Sequence, residues 1–518
     1  MSRARWPEPD PGSSLWELLE RRAAISPESN MAVDERGVTM TFGQYRHWCC
    51  SLAGRLSDQG VQAGQVVSWQ IPTWLDAMVL AGALDWIGAV QNPLLPQLRR
   101  REVEFITAEA GSRWYVQCGE WRGFDYPELA RATAVAALRN SGQDMGVIEI
   151  GRDSTRSMSK VDERQVPEPD RDGTRWLFYT SGTTGQPKGV RHGHAAVVMA
   201  TLSMCRGMRV GDDDRSVVAF PFTHIGGINW LMAALLTGCS LLVIESFAAA
   251  DTMDVIAAND VTLAGVSTAF HLAYLAAQRR DPERPLMPRV RAYPGGAAPK
   301  PPALHHDLVR EVGGVGIVSG FGLTEFPMIA MGSIDDNADQ LAMTEGRPSP
   351  GVDLIVVDVE GNQLSAGRDG ELRAKGPHLM LGYVDAALDA DAFDTDGYFR
   401  TGDLGHLDQD GHVVITGRLK DVIIRKGENI SAQEIENLLY EHPDVADAAV
   451  IGVADVERGE MVCAVIAPRA GSNPTLEDLL EHLRRRDLMP QKLPERLILV
   501  DEMPRNASGK VRKDALRE

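Results

Sequence analysis

Residues Trp176–Val190 read WLFYTSGTTGQPKGV, and the stretch changes character in its middle. Trp176, Leu177, Phe178 and Tyr179 are apolar and predict a buried strand. Thr180, Ser181, Gly182, Thr183, Thr184 and Gly185 then predict a glycine-rich loop, followed by Gln186-Pro187-Lys188-Gly189. Glycine lets the main chain approach a ligand closely, so such a loop can offer N–H groups and hydroxyls to an anion. Four hydroxyls and one lysine within nine residues suit a triphosphate. The loop is not a Walker A motif, because Lys188 precedes Gly189 and not Ser or Thr. Taken alone, it is also compatible with an ordinary polar turn.

Working outward, the chain of 518 residues is too long for one core and implies at least two domains. A formal net charge of −19 argues against general binding to nucleic acid or anionic membranes. The six cysteines show no metal-binding spacing and read as reduced thiols. Met1–Gly12 is polar and proline-rich, unlike a signal peptide, so a cytoplasmic location is expected. Ile225–Ile244 is uncharged for twenty residues, but Gly226, Gly227, Asn229, Thr237, Gly238 and Ser240 interrupt it. It reads as a buried helix (Asn229–Leu236), a turn and a strand, not a membrane span.

Upstream, Leu15–Ala24 predicts an amphipathic helix, Met31–Thr41 a hairpin, and Thr41 the cap of a helix reaching Leu56. Strands at Val66–Ile71, Ala89–Asn92 and Arg113–Val116 alternate with helices at Trp74–Ile87 and Arg99–Ala110. That rhythm predicts a doubly wound, mainly parallel α/β sheet. Downstream, a helix is expected near Ala195–Met204. His224 lies among apolar residues, where a histidine is more often part of the core than a catalyst. Arg291–Pro299 (RAYPGGAAP) and Ile317–Glu325 (IVSGFGLTE) are further glycine turns after strand-like runs. The three turns are expected to converge at one end of a parallel sheet, where ligands bind. Val352–Thr416 reads as a small β-rich subdomain. After Gly417-Arg418-Leu419-Lys420-Asp421 the pattern restarts, with helices at Ala432–Tyr440 and Thr475–Arg485 and strands at Val445–Val453, Glu460–Ile466 and Arg496–Leu499. About 100 residues suffice for a separate α+β domain.

YTSGTTGQPKGV, PGGAAP, GFGLTE, YFRTGD, GRLKDVIIRKGENIS and PRNASGK occur in that order between Tyr179 and Lys510. Together they resemble the adenylate-forming superfamily, the AMP-dependent synthetases and ligases that include acyl-CoA synthetases, peptide-synthetase adenylation domains and luciferases. The resemblance implies a large N-terminal domain (residues 1–417), a hinge (418–421) carrying Lys420, and a mobile lid (422–518). It also implies two steps: a carboxylate attacks the α-phosphate of ATP, and a thiol then attacks the acyl-adenylate and releases AMP.

By the same resemblance, Thr180–Lys188 holds the β- and γ-phosphates and Thr324 the α-phosphate. Glu325, with Thr180 nearby, holds Mg²⁺. Phe321, between Gly320 and Gly322, and Gly295, Gly296 and Ala297 line the adenine. Asp403 and Arg418 meet the ribose. Lys510 stabilises charge in the first step. Lys426 and Gly427 then enter for coenzyme A. His224 matches a position near the carboxylate and thiol tunnel, with gating favoured over proton transfer. Phe321 stands where tyrosine is commoner, and Lys426 where a small residue is frequent.

The acyl tail is expected to meet His224, Ile228, Phe326 and Met328, which are uncharged apart from any protonation of His224. A hydrophobic acid follows, with wording closest to medium-chain or cyclohexanecarboxylate ligases of lipid metabolism. The sequence ends eight residues after Lys510 with no carrier domain, so coenzyme A is the expected acceptor. A carrier-protein acceptor and a non-catalytic nucleotide- or acyl-binding homologue are the alternatives. The expected partners are small molecules, with no nucleic acid and no transmembrane segment; a homodimer is left open.

Overall fold

A computed structural model describes residues 12–157, 173–180, 186–247, 249–265, 267–296, 300–426, 428–455, 458–506 and 509–517. The local signals at the N-terminus act as expected. Ser14 and Thr41 form capping boxes with Glu17 and Gln44, starting helices Leu15–Ile25 and Phe42–Asp58. Strands Val66–Gln70, Val90–Pro93 and Trp114–Gln117 pair in parallel, with helices Leu75–Ile87 and Arg100–Glu109 as crossovers.

These strands belong to a six-stranded sheet that continues through Trp176–Thr180 to Lys188–His192 at one edge and Gly146–Glu149 at the other. A second sheet orders Arg215–Val218, Ser240–Val243, Asn30–Asp34 and Thr39–Thr41. Leu263 bridges Ser216 and Ala292 in parallel, linking that sheet to Tyr293–Gly295 and Ile317–Phe321. A four-stranded antiparallel meander runs through Asp353–Val357, Gly370–Lys375, Phe399–Leu407 and Val413–Arg418.

The strands flanking the glycine-rich loop pair antiparallel, with Thr180 facing Lys188, and the helix expected near Ala195–Met204 follows as His194–Met208. Two expectations need correction. The three glycine turns do not lie on one parallel sheet; one lies on the six-stranded sheet and two follow the strands Tyr293–Gly295 and Ile317–Phe321. Finally, the apolar helix spans Ile225–Thr237, not Asn229–Leu236, because His224 caps it. No helix among the described residues is long and apolar enough to cross a membrane.

Beyond Arg418, a short 3₁₀ turn (Leu419–Asp421) leads into a small C-terminal domain. Its sheet is built on Val445–Asp455 and Gly459–Pro468. Side chains alternate along these strands, so each face has its own apolar cluster. Val450 packs with Ile435, Leu439 and Leu479, while Ile451 packs with Val465 and Met503. The architecture is therefore α/β, with a large N-terminal and a small C-terminal domain.

Candidate active site

The edge hairpin of the six-stranded sheet meets the turn that follows strand Ile317–Phe321. His192, on the hairpin's second strand, is fully buried, and its Nε2 lies 2.7 Å from the carbonyl oxygen of Thr324. A carbonyl only accepts, so Nε2 carries the proton. Burial lowers His192 to about 4, keeping the ring neutral. The next residue, Glu325, accepts a hydrogen bond from the Tyr383 hydroxyl at 2.9 Å. Tyr383 is itself fixed by backbone pairing to Val190 and holds the Lys188 ammonium 5.7 Å from its ring centroid. His192 and Tyr383 thus tie the hairpin to the Thr324–Glu325 turn. Neither was legible in the sequence, since the contacts span 132 and 58 residues.

The other two glycine turns lie backbone to backbone. Gly296 has φ +146°, and a Cβ there would sit 3.1 Å from the Gly320 carbonyl oxygen. Phe321 ends the adjacent strand and is 8% exposed. Behind these turns, buried Lys300 donates to the Thr344 carbonyl at 2.5 Å and pairs with Glu345 at 3.2 Å, which Ser319 also contacts. This polar support was also missed.

Beside Thr324 lies a cavity of about 30 Å³, lined by Pro93, Leu94, Leu95, Leu98, Phe178, Tyr179, Thr223, His224, Ile225 and Thr324. Gly226 donates its N–H to His224 Nδ1 at 3.1 Å, so the other ring nitrogen, Nε2, carries the proton. Burial lowers His224 to about 4. The ring is therefore a neutral hydrogen-bond donor, poorly suited to general acid–base work near pH 7. Phe326 and Ile228, expected as acyl contacts, do not line this cavity. Phe326 is fully buried and stacks on His378 at 6.0 Å, beneath the antiparallel meander. Ile228 is fully buried in the main core. Met328 packs against the Gly320 backbone instead. A larger groove beside Arg100, Arg101, Phe105 and Asn140 is open to solvent and holds no motif residue.

At the domain junction, Asp403 and Arg418 face each other across neighbouring strands. Arg418 Nε lies 2.6 Å from Asp403 Oδ1. Asp403 is 3% exposed, and its Oδ2 has no hydrogen-bond partner among the described residues. Burial raises the Asp403 pKa, opposed by the charges of Arg418 and Lys510. Lys510 approaches from the C-terminal domain. Burial, followed by repulsion from Arg418, lowers its amine to about 8, against the pull of Asp403. Lys420 is exposed on the connecting turn. Lys426, exposed with φ +52°, turns the hairpin between Ile423–Arg425 and Glu428–Ile430. Ser181, Gly182, Thr183, Thr184, Gly185, Ala297 and Gly427 lie outside the described residues.

Sequence comparison shows the family. The profile of the AMP-binding enzyme family matches residues 19–384, and that of the AMP-binding enzyme C-terminal domain matches residues 434–510. This chain belongs to the AMP-binding enzyme family. It is 27% identical to the medium-chain fatty-acid–CoA ligase of Escherichia coli (strain K12), over 98% of this chain and 90% of that one. It is 30% identical to a sulfoacetate–CoA ligase of Cupriavidus necator, over 98% of both chains. The structure of ATP-bound MatB from Rhodopseudomonas palustris superposes with a TM-score of 0.85, at 26% identity over 98% of both chains. As an AMP-binding enzyme that matches named CoA ligases along nearly their whole length, it is an AMP-forming acid–thiol ligase with an adenylate-forming mechanism.

Proposed function

We propose that this enzyme activates a carboxylic acid with an uncharged, hydrophobic tail (medium-chain, alicyclic or ring-derived) and transfers it to coenzyme A. The observation that carries the choice of acid is the lining of the His224 cavity. Leu94, Leu95, Leu98, Phe178 and Ile225 form its wall, and none of its lining side chains carries a fixed charge. A second charge on the substrate would lose hydration there without gaining a partner. The relatives do not choose the acid, since one is named for a medium-chain fatty acid and another for sulfoacetate.

In the first step a carboxylate oxygen bonds to the α-phosphorus of ATP and pyrophosphate leaves. Both reactants are anionic, so the site must neutralise charge and hold them in line. Lys188 and the loop after Thr180 hold the β- and γ-phosphates, and Thr324 orients the α-phosphate. The free Oδ2 of Asp403 accepts from a ribose hydroxyl, while Phe321 and the turns at Gly295 and Gly320 bracket the adenine. Lys510 donates to the charge that develops between carboxylate and α-phosphate. Glu325 keeps its Tyr383 hydrogen bond on one oxygen and offers carboxylate oxygen to Mg²⁺, a donor type that ion favours. When bound, that ion supplies further neutralisation of phosphate charge.

In the second step the thiol sulfur attacks the acyl carbon, AMP leaves and the thiol proton passes to solvent. Arg418–Asp421 is the pivot about which the C-terminal domain turns between steps, withdrawing Lys510 and bringing in Lys426 and Gly427. The Nε2–H of His224 orients the substrate carboxylate beside the thiol path.

Pyrophosphate release across aliphatic, alicyclic, aromatic and short charged acids, with and without coenzyme A, tests this reading. Preference for one hydrophobic class, with full turnover only when coenzyme A is present, supports it. Preference for a doubly charged acid overturns the substrate assignment. Adenylate formation that ignores coenzyme A overturns the acceptor.

A further inference from the structure

Lys510 sits on a turn whose shape is set locally but whose aim comes from the core of the C-terminal domain. Asn506 N–H donates to the Lys510 carbonyl at 2.9 Å, and Lys510 N–H donates to Asn506 Oδ1 at 3.0 Å. Gly509, at φ +83°, donates its N–H to the Asn506 carbonyl at 2.9 Å. These bonds set the shape of the turn, and its flanks are joined where Arg505 pairs with Val511 and Arg512 N–H donates to the Pro504 carbonyl at 2.8 Å.

Arg505 adds a side-chain anchor outside the turn, beside the packing of Met503 and Val511 on the C-terminal sheet. Its Nη1 donates to the Gly509 carbonyl, one residue before Lys510, at 2.5 Å. Its Nη2 pairs with Asp447 Oδ2 on the Val445–Asp455 strand. The other oxygen of Asp447 accepts from the Tyr440 hydroxyl, at the end of helix Ala432–Leu439, and from Ala448 N–H at 2.9 Å. One planar guanidinium therefore joins the lysine turn to a carboxylate held by both a strand and a helix. The Arg505 and Asp447 side chains are 18% and 14% exposed, so water competes weakly for this pair.

The opposite side of the turn meets the large domain. A Cβ on Gly509 would lie 2.7 Å from Ser267 Oγ and 3.3 Å from Ala269 Cβ. Between that surface and Arg505 the turn has little freedom, and displacements near 1 Å can cost about 100-fold in rate.

We propose that Arg505, locked by Asp447 and Tyr440, is the positioning residue that presents Lys510 to the Asp403–Arg418 site for adenylation. The inference rests on the adenylation role given to Lys510 above. Arg505 touches no reacting atom and acts only through the lysine turn. It serves the first half-reaction and is idle in the second.

The test measures both half-reactions, pyrophosphate release from acid and ATP and thiolysis of supplied acyl-adenylate, for Arg505→Met, Arg505→Lys, Lys510→Ala and the Arg505→Met/Lys510→Ala double variant. Arg505→Met should lower adenylation by about 30–100-fold and change thiolysis by less than about 3-fold. Arg505→Lys reaches one partner but not both and should recover part of the loss. In the Lys510→Ala background, Arg505→Met should add nothing beyond about 2-fold, because its effect passes through an amine no longer present. Equal losses in both half-reactions, or a further loss in the double variant, overturn the proposal and mark Arg505 as merely structural. If Lys510→Ala loses adenylation but Arg505→Met does not, this inference fails and the Lys510 reading survives. If Lys510→Ala retains full adenylation, the Lys510 reading fails and takes this inference with it.

Discussion

Asp214 and Asp403 are both buried carboxylates facing an arginine, yet their hydrogen bonding is opposite in kind. Asp214 uses both oxygens. Arg291 donates Nε to Oδ1 and Nη2 to Oδ2, each at 2.6 Å, while Thr262 and Gly211 add bonds at 2.8 Å. Burial pushes its pKa up, but the Arg291 bonds and charge outweigh this and leave it below the ordinary value. Asp403 receives Arg418 on Oδ1 alone, its Oδ2 has no partner among the described residues, and burial leaves its pKa raised. A fully bonded buried charge holds structure together. A half-bonded one keeps desolvation cost in the free protein that a ligand hydroxyl can relieve.

The two sites also have opposite pH signs. Asp214 binds its proton less readily folded than unfolded, so its stabilisation is present above about pH 3.8 and is lost as pH falls through the folded value. Asp403 binds its proton more readily folded, so its charge weighs against folding at neutral pH and less so as pH falls.

The strongest challenge to this contrast is Asp214→Ala, which strands Arg291 in a largely buried position. It should lower unfolding free energy by about 3–5 kcal/mol in denaturant titrations, with the ATP KM of the folded fraction unchanged. A small stability loss would mean that Asp214 is no more structural than Asp403. Lys510→Ala, on the functional side, should reduce adenylation by about 100–1,000-fold while thiolysis of supplied adenylate persists. Asp403→Asn should raise the ATP KM by about 10–100-fold and leave the melting temperature nearly unchanged, because the lost charge was incompletely bonded. A large drop in melting temperature there would erase the distinction.

The smallest expected effect is in the pH profile. The Lys510 amine is held at about 8, so it loses its proton as pH rises through that value. The profile of kcat/KM for adenylation, which reports the free enzyme, should fall above about pH 8. Residual activity of Lys510→Ala should lack that limb. His224, already neutral from about 4 upward, should add no inflection between pH 6 and 7.5.

How far the sequence could be read follows how far its interactions reach. Thr41 with Gln44 and Ser14 with Glu17 announce helix starts because capping is settled within one turn of chain. The Arg496–Leu499 strand was legible from its composition and flanking turns. The Trp176–Val190 stretch was legible as a strand followed by a glycine-rich loop, but its antiparallel return was not, because glycine marks a bend without naming the strand's partner. Ile228 and Phe326 were expected at the acyl tail from their places beside His224 and the GFGLTE motif, but closeness in sequence does not say which way a side chain faces, and both are fully buried in core clusters.

The sequence by itself determined the order of motifs, the alternation of strands and helices, the restart after Arg418 and the residue types needed to bind a nucleotide. These are local in chain or carried by composition, so they are written in the string. Tertiary structure decided which sheet each glycine turn sits on, that His192 supports Thr324, that Tyr383 holds Glu325, and that Asp403 keeps one oxygen free. Those features depend on side chains meeting across 58 to 132 residues and on which atoms burial strips of water. No local pattern encodes them, because their energies exist only once the sheets have packed.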